Sequence, residues 1–102
     1  MKHKVILDLD YNQGAIWLSI QETGEPLTGI DIIDTNKDIA IINKKISDLY
    51  SSYYDSNCTF NNERFINDKD LLLGMLKELK DLLESINDGS YEIEDRITKL
   101  YK

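Results

Sequence analysis

The sequence predicts an α+β domain: an N-terminal antiparallel three-stranded sheet with two or three α-helices packed on one face. Three observations lead there. Apolar residues alternate near the N-terminus, and from about residue 36 they recur at steps of three and four. The chain has 102 residues and a single proline, which is room for one domain, 1–102, around one core.

Residues 4–9, Lys-Val-Ile-Leu-Asp-Leu, place Val5, Leu7 and Leu9 on one side of an extended chain and Lys4, Ile6 and Asp8 on the other. Turn formers follow from Asp10 to Gly14. Over 15–21, Ile16, Leu18 and Ile20 then alternate with Ala15, Trp17, Ser19 and Gln21, so the two segments read as a hairpin. If Ile16, Leu18 and Ile20 face the helices, Trp17 faces away. Gly24 and Pro26 punctuate the chain, and 30–33 returns as a short third strand.

Ile39, Ile42, Ile46, Leu49 and Tyr53 then share one helical face, predicting a helix over about 36–54 capped by Asp34 or Thr35. Residues 56–66 look irregular, with Phe60 and Phe65 pinning them to the core. A longer helix follows over 68–87. Leu71, Met75, Leu79, Leu82 and Ile86 form its stripe, Leu72, Leu76 and Leu83 widen it, and Asn87-Asp88-Gly89 stops it. For 91–101 the expectation is a last helix capped by Ser90, although Tyr91-Glu92-Ile93-Glu94 also alternates like an extended piece.

Twelve Lys and Arg against nineteen Asp and Glu give a net charge of −7, so a phosphate backbone is repelled by the average surface and direct nucleic-acid binding is not expected. No apolar run exceeds four residues, and runs such as Ile39 to Ile42 and Leu71 to Leu73 fall far short of the roughly 20 residues that cross a bilayer. Only Val5 to Leu7 follow the basic N-terminal flank before Asp8 intervenes, which is no signal peptide. Cys58, the lone cysteine, can make no internal disulfide; with these features it places the chain in a reducing compartment, the cytoplasm.

Chemistry is equally thinly supplied. The single histidine, His3, stands between two lysines at the start of the first strand, and Cys58 has no basic neighbour in sequence to activate its thiol. One Cys and one His fall short of a structural zinc site, and no P-loop, EF-hand or dinucleotide fingerprint occurs. Asp8-Leu9-Asp10, two carboxylates on one side of a strand end, resembles the Asp-x-Asp of haloacid-dehalogenase-type phosphatases. It is also similar to the first phosphate loop of sugar-kinase and actin-like folds. Both resemblances span about ten residues and imply a larger α/β sheet with further motif residues, for which this chain has no room; Asn12 also stands where Thr or Val is expected. Asp8 on a solvated face and Asp10 opening a turn account for the pair. The sequence therefore predicts no enzyme, no cofactor and no metal.

What remains is surface. Residues 1–36 carry six acids against Lys2 and Lys4, residues 37–66 balance, and residues 67–102 carry nine acids and six bases. The most acidic stretch also holds Tyr11 and Trp17, residue types that anchor interfaces by desolvating large areas at low entropic cost. Tyr50, Tyr53 and Tyr54 close the first helix. The predicted function is a small acidic binding protein of the immunity or antitoxin type that neutralises a larger basic partner, a nuclease toxin, by occluding its active site. The contact residues expected are Tyr11, Trp17, Asp31, Asp34 and Tyr54. Two other classes fit: an accessory subunit or homodimeric adaptor, and a carboxylate- or metal-dependent hydrolase using Asp8 and Asp10. Abundant Ile, Asn, Lys, Asp and Tyr suit an AT-rich bacterial or phage gene.

Overall fold

The computed structural model describes residues 3–9, 15–20 and 22–101, and the side chains of these as far as 99. Its elements in chain order are β1 (His3–Leu7), β2 (Ile16–Trp17), α1 (Asp31–Asp34), α2 (Lys37–Ser51), α3 (Asn62–Asn67), α4 (Lys69–Ser85) and β3 (Tyr91–Asp95), followed by a 3-10 turn, Thr98–Tyr101. The class is α+β. Residues 10–14, where a hairpin turn is expected and which include Asp10 and Tyr11, lie outside the described residues.

The sheet has the order β2-β1-β3 and is mixed. β1 pairs with β2 antiparallel, Ile6 opposite Trp17 and Leu7 opposite Ile16, and with β3 in parallel, from His3 opposite Tyr91 to Leu7 opposite Asp95. Two expectations are corrected by this arrangement. The third strand is not 30–33 but 91–95, where a helix was expected, and the pairing is not wholly antiparallel. Both changes have local causes. At 30–33 the Asp34 carboxylate folds back to accept from the Thr28 and Gly29 amides (3.0 and 2.9 Å) and the Thr28 hydroxyl (2.7 Å). With Gly29 at φ +83°, the chain closes a single helical turn instead of extending. At 91–95 the alternation of Tyr91 and Ile93 wins because β1 offers a free edge. The Asp95 carboxylate then accepts from the Ile97 and Thr98 amides (2.8 and 3.1 Å), confining the helical part to the last turn.

The two long helices fall close to their expected spans. α2 is capped not by Asp34 or Thr35 but by Asn36, whose side chain accepts from Ile39 N–H at 3.0 Å. Within 56–66, expected to be irregular, Asn61 accepts from Arg64 N–H at 3.0 Å and starts α3. Asp68 ends α3 and begins α4, while its carboxylate accepts from the Tyr53 hydroxyl at 2.9 Å.

Helices and sheet meet through one core. Val5, Leu7 and Ile16 of the sheet pack with Ile39, Ile42 and Ile46 of α2 and Leu72, Leu76, Leu79 and Leu83 of α4, all buried. Phe65 is buried and Phe60 packs against the cluster, pinning the segment after α2. The opposite face of the sheet carries Lys4, Ile6, Trp17, Glu92 and Glu94, with Asp8 just beyond β1 on the same side.

Candidate functional site: the acidic segment before the second helix

From Val5 to Asn36 the chain carries six carboxylates and no Lys or Arg. Four of the large apolar side chains that the fold leaves exposed belong to this same segment: Trp17, Leu18, Leu27 and Ile32. Their placement follows from a short ladder. Leu27 N–H donates to Leu18 O and Ile20 N–H to Glu25 O (both 2.9 Å), Gly24 N–H donates to Ile20 O at 2.7 Å, and Ser19 bridges Pro26. Leu18 and Leu27 are thus neighbours, and Thr28 and Gly29 lead directly to the Asp34 carboxylate.

The segment is fastened to α2 from beneath. Asn43, wholly buried, accepts from Ile16 N–H at 3.0 Å and donates to Gly24 O at 2.9 Å, so one side-chain amide holds both β2 and the following turn. Gly24 is required by the same contact: its φ is +76°, and a Cβ there would stand 2.2 Å from Ala40 O. A surface held in this way presents its exposed side chains with little ordering left to do on contact.

Trp17 points outward as expected and is 40% exposed. The expectation that Leu18 also faces the helices is corrected: it is 47% exposed, because the ladder with Leu27 turns it outward. Beside Trp17 a concavity of about 300 Å³ is lined by Ile6, Asp8 and Arg96 as well as the indole. Glu94 lies on this face between Lys4, at 3.3 Å, and Arg96, which donates to it; these two cations, Arg96 first, hold its carboxyl below the usual range.

Of the remaining expected contact residues, Asp31 is exposed at the start of α1. Asp34 is nearby, but its carboxylate is engaged by Thr28 and Gly29 and serves to shape the turn. Tyr54 stands apart, past the far end of α2, whose 15 residues span about 22 Å. It belongs to an aromatic cluster, 5.8 Å from Tyr50 and 5.0 Å from Phe60 between ring centres, beside a cavity of about 340 Å³ lined also by Ser52, Asp55, Asn61 and Arg64. Trp17, Asp31 and Asp34 are therefore carried by one pinned segment, with Tyr54 elsewhere and Tyr11 outside the described residues.

Leu18, Leu27, Ile32 and Asn43 were not singled out from the sequence. Leu27, an isolated large apolar residue between Pro26 and Thr28-Gly29, was the available signal, since turns seldom need one. For catalysis the surroundings are sparse. Among the described residues no three His, Cys, Asp or Glu side chains gather where a metal could be held, and no helix is long and apolar enough to cross a membrane. Compared with known proteins, the chain is matched by no protein-family model, no curated protein and no solved structure.

Proposed function

We propose that this chain is a small acidic binding protein of the immunity or antitoxin type, working in the cytoplasm without chemistry of its own. It captures a basic protein, a nuclease toxin, and covers its cationic active site. One observation carries the reading: Trp17, Leu18, Leu27 and Ile32 are exposed on a segment that holds six carboxylates, no Lys or Arg, and is anchored to α2 by Asn43. The carboxylates steer a cationic surface toward the segment, and the apolar side chains supply area that holds it. An interface of about 800 Å² on each side suits such a partner.

The test begins with co-purification of the chain with the product of the adjacent gene and a measurement of whether it protects cells from that product. In the resulting complex the association rate falls steeply as salt rises, and Asp31→Lys slows it several-fold. Trp17→Ala acts on dissociation instead, weakening binding about tenfold or more. Association indifferent to salt, with Asp31→Lys and Trp17→Ala both silent, would remove the reading. A doubled mass persisting in high salt would favour the homodimeric adaptor, for which exposed Ile41 of α2 and Leu71 of α4 provide apolar area.

A further inference from the structure

Among the described residues, β3 is flanked by no other strand at the sheet edge away from β2. Its register and the flanking bonds, His3 N–H to Ser90 O at 3.1 Å and Arg96 N–H to Leu7 O at 2.9 Å, direct the even-numbered residues of β3 to β1. The backbone N–H and C=O groups of Tyr91, Ile93 and Asp95 consequently face the open edge. Asn87 donates from its side-chain amide to Tyr91 O at 3.1 Å; among the described residues, nothing pairs with the backbone of Ile93 or Asp95 on that side.

Folded proteins commonly guard such edges with lysine, proline or a bulge. β3, Tyr-Glu-Ile-Glu-Asp, has none of these. From Asp81 to Asp95 the chain carries six carboxylates and no Lys or Arg; Lys4 and Arg96 pair with Glu94 and Lys80 with Asp95, which leaves Glu92 as the carboxylate of β3 with no ion pair among the described residues. That carboxylate favours a cationic occupant. Antiparallel pairing of β3 with a second copy, centred on Ile93, would set Glu92 of each copy opposite Glu94 of the other, a carboxylate whose cations, Lys4 and Arg96, are already engaged, so Glu92 would gain no cation of its own. A strand bearing cations meets the reverse situation, because Glu92 is exposed and makes no ion pair among the described residues.

We propose that the open edge of β3 takes up an extended peptide segment bearing Lys or Arg, which adds to the sheet through the backbone of Ile93 and Asp95 and places a cation opposite Glu92. The backbone bonds supply affinity that does not depend on sequence, and Glu92 selects for positive charge. β2 and β3 lie on opposite sides of β1, so the backbone of this edge is apart from Trp17, although Glu92 projects from the same face of the sheet.

A short synthetic peptide alternating Lys and Val serves as the probe, with a copy N-methylated along the edge that pairs. The methylated peptide keeps the charge and loses the N–H groups. Binding of the first peptide slows hydrogen exchange at the Ile93 and Asp95 amides by about tenfold or more, and methylation weakens binding by a similar factor. Glu92→Lys, a change at an exposed position, also weakens it several-fold. Equal binding of the two peptides, no binding of either, or protection confined to 15–34 would each overturn the proposal. So would a free protein that sediments as a dimer with its Ile93 and Asp95 amides already protected.

Discussion

A single buried amide organises the surface on which the proposed function rests. Asn43 accepts from one backbone N–H and donates to one backbone C=O, at positions 27 and 19 residues distant in sequence. Replacement by Leu keeps approximate volume but leaves Ile16 N–H and Gly24 O without partners in the interior, at roughly 1–3 kcal/mol for each group. Asn43→Leu is therefore expected to lower unfolding free energy by about 2–6 kcal/mol in urea titrations and to speed amide exchange over 15–27 more than elsewhere. Asn43→Ser, which brings a hydroxyl too short to reach both partners, should fall between the two. None of this was legible in the sequence, where position 43 is one more polar residue beside Ile39, Ile42 and Ile46. The partners that give Asn43 its role are supplied by a distant strand and turn, which no local pattern records.

At the scale of elements, the sequence located the long helices well and their buried faces less well. The apolar positions of α4 make a stripe wider than the core can cover. Leu72, Leu76, Leu79 and Leu83 are buried, whereas Leu71, placed first in the expected stripe, is 56% exposed. Leu72→Ala is accordingly expected to cost about 2–5 kcal/mol in denaturant unfolding and Leu71→Ser less than about 0.5 kcal/mol. Equal losses at the two positions would mean that α4 is rotated about its axis. Short segments were read less well for a related reason. Residues 30–33 have the composition of a strand, yet a carboxylate from Asp34 reaching back to Thr28 and Gly29 closes them into a turn. Residues 91–95 satisfy either period, and only the open edge of β1 chooses between them.

For the whole molecule, charge governs the response to pH and underlies the proposed binding. Burial tends to raise the pKa of Asp95, but hydrogen bonds from the Thr98 hydroxyl and amide, Lys80 and the Ile97 amide outweigh it, leaving the carboxyl below its ordinary range. A group depressed in the folded state stabilises fully above its unfolded pKa, about 3.9, and that contribution disappears as pH falls through the folded value. Asp95→Asn is therefore expected to flatten the loss of stability below about pH 4 while leaving the slope near neutrality unchanged, measured by urea unfolding across pH. The candidate site was legible to a comparable degree. The excess of acids before residue 36 and the outward Trp17 were readable, because charge and strand alternation are local properties. The separation of Tyr54 from Asp31 by the length of α2, and the exposure of Leu18 and Leu27, depend on how the elements are assembled.

β1 sits in the middle of the sheet, but one of its two neighbours comes from residues 91–95. During synthesis on the ribosome, β1 and β2 emerge early and must wait for most of the remaining chain before the sheet is complete. Throughout that interval the nascent chain displays the inner edge of β1 to its surroundings, and helper proteins that shield unpaired strands have their opportunity there.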